Sequence, residues 1–160
     1  RLRDAAEPTA AFLNAIEPLR SALRLGPLLF QLPPGCRCDL ALLREFLPLL
    51  PSDIRAAFEF RHESWLADPV YALLAERNVA LCVAESEELE VPQVVTADFA
   101  YYRLRKPAYR PEDLQAVRAR ADELLARDTD VFVFFKHEDE PDGALYAEAV
   151  LGQPAAVPGG

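Results

Sequence analysis

The chain has no methionine in 160 residues, and its only lysines are Lys106 and Lys136. It has one tryptophan, two histidines and three cysteines. No apolar run approaches the roughly 20 residues that a membrane-spanning helix needs; Val131 to Phe135 is typical. A membrane partner is therefore not expected. No basic stretch followed by an apolar one opens the chain, so no secretory leader is expected either. With Cys36, Cys38 and Cys82 few and odd in number, a reducing, cytoplasmic setting is expected. Cys36-x-Cys38 lacks a second Cys or His pair nearby, so the four ligands of a structural zinc site are not met. Cys82 sits in an apolar run and reads as a small buried side chain.

Other absences narrow the chemistry. There is no G-x-G-x-x-G and no P-loop lysine after any predicted strand, which argues against dinucleotide and nucleoside triphosphate folds. Ser64 and Ser86 lack a nucleophile-elbow context, so serine hydrolysis is not indicated. The net charge of -9 argues against a nonspecific grip on nucleic acid, though not against a local basic pocket. A chain opening Arg1-Leu2-Arg3 without any methionine is expected to be a processed product or a piece of something longer. No particular cofactor is indicated.

What is present is ordinary globular material: 51% hydrophobic and 27% charged, in one domain's length. Phe12, Ile16, Leu19 and Leu23 fall on one helical face, with Gly26 as the expected left-handed terminator. Residues 27–32 read as a buried strand stopped by Pro33-Pro34-Gly35. Asp39 caps a helix carrying Leu42, Leu43, Phe46, Leu47 and Leu50. Residues 56–61 are a second strand, and Asp68-Pro69 opens a helix with proline in its first turn. Strands follow at 79–84, 99–104 and 130–135. A long helix starts at Pro111, and a last one covers about 144–151. Only the link between Ala84 and Phe99 lacks room for a helix.

Strands alternating with helices imply right-handed crossovers and a parallel sheet, and near-continuous apolar strands imply cover on both faces. The expected class is α/β, a TIM-like (β/α) barrel. A full barrel takes about 250 residues. Five strands behind an opening helix therefore suggest an incomplete barrel: the last five units, with the first three missing. The expected domain is 1–152, followed by a disordered Pro/Gly tail at 153–160.

In such barrels chemistry sits at the C-terminal ends of the strands. Gln31 ends the first. Glu59, Arg61, His62, Glu63, Ser64 and Trp65 end the second. Thr96 and Asp98 lead into the fourth, which carries Tyr101, Arg103 and Arg105. Lys136 and His137 end the fifth, ahead of an acidic Glu138-Asp139-Glu140 loop. Alternation puts Glu59 and Arg61 on one face and Phe58 and Phe60 on the other. Glu59, Arg61, Tyr101 and Arg103 should thus point into the barrel, where a charge must be paired or bind something. Arg61 and Arg103 suit a bidentate grip on a phosphate or carboxylate, or a polar layer filled with water. His62 and His137 suit proton transfer. Glu59 reads either as a structural ion pair or as a catalytic group. Trp65 reads as a ring to stack on a ligand or as a cap over the mouth.

Three stretches carry a resemblance: Leu29-Phe30-Gln31-Leu32-Pro33-Pro34, then Glu59-Phe60-Arg61-His62 with Trp65, then Thr96-Ala97-Asp98-Phe99-Ala100-Tyr101-Tyr102-Arg103-Leu104. In this order and spacing the chain resembles the YecE-like family (domain of unknown function 72), from about residue 10 to 151. The resemblance implies a TIM-like barrel with no assigned activity. It points to Gln31, Pro33, Glu59, Arg61, Trp65, Thr96, Asp98, Tyr101 and Arg103. The chain departs from the family pattern at Arg105-Lys106, where a His-Gly is usual, and at Lys136-His137, where paired Asn is usual. The family's opening strands, with their Gly-Trp start, have no counterpart. The expected role is binding of a small anionic or sugar-like ligand. Glu59, His62 and His137 are the candidates for acid/base work, and Gln31, Arg61, Trp65, Thr96, Asp98, Tyr101 and Arg103 for ligand contacts. The alternatives are a noncatalytic binding module and an inactive truncated remnant.

Overall fold

A computed structural model describes residues 2–136 and 142–152. Five strands, β1 (Leu28–Gln31), β2 (Ala56–Glu59), β3 (Ala80–Ala84), β4 (Phe99–Leu104) and β5 (Asp130–Phe135), form one sheet in the order β1-β2-β3-β4-β5. Every pairing is parallel. Five helices accompany them: α1 (Ala6–Ser21), α2 (Leu40–Phe46), α3 (Asp68–Ala75), α4 (Pro111–Leu125) and α5 (Asp142–Leu151). The link from β3 to β4 contains none. No helix among the described residues is long and apolar enough to cross a membrane.

Local chemistry explains the boundaries. The Asp39 carboxylate accepts from the Leu42 N–H and starts α2. Pro69 and Pro111 stand in the first turns of α3 and α4, where a missing N–H costs nothing. Helices α1, α3 and α4 end alike. Leu23, Asn78 and Asp128 take left-handed φ values of 55°, 51° and 56°. The next N–H then reaches back to the carbonyls of Leu19, Leu74 and Leu124. The expected terminator Gly26 plays no such part: α1 stops at Ser21, and Leu23, expected on the helix's apolar face, lies beyond it and is 95% exposed.

The sheet sorts its side chains by alternation. Phe30, Phe58, Phe60 and Leu81 face α2 and α3, with Phe46, Leu43 and Leu74 between them. Tyr102, Leu104, Val131 and Val133 face α4 and α5. The opposite face carries Ala57, Ala80, Cys82, Ala84, Phe99 and Tyr101, and no helix residue packs into that cluster. All the helices therefore lie on one side of the sheet. Fully burying Phe58 or Leu43 in the covered layer contributes about 1.5–3 kcal/mol each.

Candidate functional site

Register places the polar side chains in order on the helix-free face. Gln31 pairs with Glu59 across β1 and β2. Cys82 pairs with Tyr101, and Ala84 with Arg103. Tyr101 pairs with Phe132, and Arg103 with Phe134. Going up the strands, an apolar floor of alanines and Phe99 thus gives way to Cys82 and Tyr101, and then to charge.

Glu59 is the centre of that charge. It is 1% exposed, yet both carboxylate oxygens are engaged. Oε1 accepts from Gln31 Nε2 at 2.7 Å and lies 3.7 Å from an Arg105 guanidinium nitrogen. Oε2 accepts from Arg103 Nη1. A buried carboxylate is tolerable only with such partners. Arg105, which the sequence places at the strand end on one face with Tyr101 and Arg103 but not among the ligand contacts, joins this cluster. Its Nε is buried without a hydrogen-bond partner.

Arg105 is itself held from behind. Glu85, just past β3, accepts from the Arg105 N–H at 2.7 Å and the Lys106 N–H at 3.2 Å. The Tyr109 hydroxyl donates to the same oxygen. Burial, and then this bond to Glu85, push the Tyr109 hydroxyl pKa well up. Tyr101 is raised too, first by burial; its ring stacks on Phe134 at 5.0 Å.

Arg61 lies just past β2 and is exposed, and its side chain makes no hydrogen bond or ion pair among the described residues. It lines a small cleft of about 30 Å³ with Glu59, Ser86, Glu88 and Arg105. An open groove of about 820 Å³ continues past Glu87, Glu88 and Glu90 to Lys106. His62 is half-buried, and its Nδ1 accepts from the Ser64 N–H at 3.1 Å. The Nδ1 lone pair is thus engaged within its own loop.

Three expected ligand contacts fall elsewhere. Thr96 and Asp98 precede β4, so they lie at the N-terminal edge, about six residues or 20 Å along the strand from Arg103's end. Thr96 is buried, donates to the Val79 carbonyl at 2.7 Å and accepts from the Leu81 N–H at 2.8 Å. The Asp98 N–H donates to Asn78 Oδ1 at 2.8 Å. Both tie the β3–β4 link to the sheet. Trp65 is 1% exposed, stacked on Phe60 at 4.6 Å, with its indole N–H on the Cys36 carbonyl. With both faces packed it offers no ring to a ligand and does not cap the mouth. His137 and the acidic 138–140 loop lie outside the described residues, as does the 153–160 tail. No cluster of three or more metal-ligating side chains occurs among the described residues.

The fold has close likenesses. A DUF72 family protein from Thermotoga maritima MSB8 superposes with a TM-score of 0.76 at 24% identity, over 93% of this chain and 64% of the other. A DUF72 family protein from Enterococcus faecalis V583 gives 0.78 at 19% identity, over 92% and 65%. A second structure of that protein gives 0.74 at 19%, over 89% and 66%. The chain thus spans a little under two thirds of the length of these relatives. At such identities the likeness speaks to fold alone. No curated protein matches the chain. The sequence itself matches the family described as "Protein of unknown function DUF72" over residues 1–156, and the chain belongs to that family, for which no activity is assigned.

Proposed function

We propose that the five strands are consecutive units of a TIM-like barrel, and that their C-terminal ends bind a small polyhydroxylated anion. The barrel reading is supported by sequential parallel strand order with every helix on one side. A doubly wound sheet would carry helices on both faces. In this reading the shorter length relative to the solved relatives corresponds to the missing opening units.

One observation carries the ligand reading. Arg61, Arg103 and Arg105 stand at one end of the sheet, while the only carboxylate buried among them in the described residues, Glu59, is shared by Arg103 and Arg105. Arg61 and the Arg105 Nε remain to receive an anionic group. The adjoining groove is edged by Glu85, Glu87, Glu88 and Glu90, which accept from hydroxyls. A sugar acid or similar compound offers both. Binding without catalysis is the favoured form, because the Glu59 oxygens and His62 Nδ1 are already engaged.

The test is titration of the 160-residue chain with gluconate, acetate and glucose, followed through arginine Nε–H resonances. Gluconate is expected to shift Arg61 and Arg105 saturably and to bind more tightly than acetate or glucose. Arg61→Ala should weaken it about tenfold, the worth of one charged hydrogen bond, without changing thermal stability. Absence of a saturable shift with all three probes overturns the reading.

A further inference from the structure

The helix layer has a gap. Parallel strands β3 and β4 are joined by a link without a helix, so no helix packs between α3 and α4 there, and only the link itself, through Val91, Gln93 and Val94, covers part of the space. A cavity of about 240 Å³ fills the space, on the opposite side of the sheet from Glu59. Its walls are Val83, Leu104, Val117, Val131 and Val133. Glu85, Gln93, Lys106 and Asp113 also line it, and α4 adds Arg120.

Arg120 is fixed from two sides. Nη1 donates to Glu123 at 2.8 Å, and the Tyr102 hydroxyl lies beside the guanidinium. Its Nε is nevertheless buried with no partner. Among the described residues only two side-chain nitrogens or oxygens are in this condition, and the other, Arg105 Nε, belongs to the strand-end cleft. A buried unmade hydrogen bond costs about 1–3 kcal/mol, so the donor calls for an acceptor. Lys106, at the same cavity, does not compete for one: it is already shared by Asp113 at 3.3 Å and Glu85 at 3.9 Å.

We propose that this cavity is a second ligand site, for a compact carboxylate with an aromatic or branched apolar body. Size and chemistry choose the occupant. The cavity exceeds the roughly 30 Å³ of a liquid water several-fold, and its lining is more apolar than polar. It is too small for a helix, which is about 10 Å across with its side chains. A carboxylate oxygen accepts from the unpartnered Arg120 Nε–H in a charge-assisted bond. The apolar body takes the valine wall, and burying it there supplies most of the affinity.

Benzoate is the probe, with toluene as its uncharged counterpart, added to the 160-residue chain labelled at valine and leucine methyls. Benzoate is expected to shift the Val83, Leu104, Val117, Val131 and Val133 methyls saturably, and more tightly than toluene does. Arg120→Met keeps the apolar volume and removes the donor; benzoate affinity should fall about tenfold while toluene binding stays. Ala121→Phe, which fills the cavity from α4, should abolish both. The proposal is overturned if benzoate gives no saturable shift in the unmutated chain, since Arg120 is then served by water alone. It is equally overturned if the shifts centre on Leu29 and the helix-free face, or if Arg120→Met binds benzoate unchanged. The unmutated titration decides even where a variant does not fold.

Discussion

Arg55, just ahead of β2, donates to Asp130 at the head of β5, with Nη2 and Oδ2 2.5 Å apart, although β3 and β4 stand between their strands. On a flat sheet three inter-strand steps measure about 14 Å. The contact is therefore a chord across a strongly curved sheet. The guanidinium also lies 5.5 Å over the Phe99 ring and 5.6 Å over Phe132 on the concave side. The curvature brings β2 and β5 towards each other, and with them the polar groups at the opposite ends of the strands.

That brace predicts an asymmetry. The ion pair is about half exposed, so Asp130→Asn should cost well under about 1 kcal/mol, less still in high salt. Arg55→Ala loses the two ring contacts as well and should cost about 1 kcal/mol more, with that part independent of salt. Urea midpoints at low and high ionic strength measure both. Equal losses from the two substitutions would mean that the rings contribute nothing.

Glu59 predicts a steeper asymmetry. Glu59→Gln strips the counter-charge from two guanidinium groups at once and should cost about 3–5 kcal/mol. Arg103→Met leaves the carboxylate with Gln31 and Arg105, and should cost about half that. Chemical denaturation of the two variants and of the double variant gives the coupling. A double variant as stable as the unmutated chain would show that the cluster is kept for a ligand rather than for stability.

The legible part of the fold was the part set by continuous apolar runs. Residues 99–104 and 130–135 form β4 and β5 as read, because their unbroken apolar runs carry the strand signal even though β5 is only partly buried and one face of the sheet has no helix against it. Alternation also placed Phe58 and Phe60 outward and Glu59 and Arg103 inward. Chain direction was not used for Thr96 and Asp98: residues ahead of a parallel strand stand at the far end from those behind it. Trp65 carries no sign in sequence that Phe60 will cover one face of it. The face of α1 was legible but its burial was not. Phe12 and Leu19 are 43% and 51% exposed, since an apolar stripe says what can be buried and not what there is to cover it.

The end of α1 yields a third prediction. Leu23 holds φ 55° with its side chain almost wholly in solvent, so it bears the left-handed penalty of about 1–2 kcal/mol with little packing in return. Leu23→Gly should stabilise the chain by up to about 1 kcal/mol, the remainder being offset by the greater freedom of glycine in the unfolded state. Gly26→Ala should be neutral or slightly stabilising, because an added Cβ meets nothing within 4 Å. Thermal melts distinguish this from the expectation that Gly26 terminates the helix, under which Gly26→Ala destabilises and Leu23→Gly does not help.

Alkali should unfold the chain in two stages, beginning with Cys82. Its thiol is fully buried on the helix-free face, and burial, reinforced by the Glu59 charge, lifts its pKa far above the ordinary 9.0. Tyr109 is lifted above its ordinary 10.0, first by burial and then by its bond to Glu85. In both cases the folded chain holds the proton more tightly than the unfolded one. Stability from these groups is therefore complete below their ordinary values and declines as pH rises beyond them, because only the unfolded state can ionise freely. The first loss should start near pH 9 and a second near pH 10. Cys82→Ala should shrink the first loss and leave the second, and Tyr109→Phe should shrink the second and leave the first, with smaller shares kept by the other raised groups Cys38 and Tyr101. Urea midpoints between pH 8 and pH 11 resolve the two. The same burial predicts that Cys82 resists alkylation at pH 8 while the half-buried Cys36 reacts. Rapid labelling of Cys82 in the folded chain would place it in contact with solvent and remove the first stage of the argument.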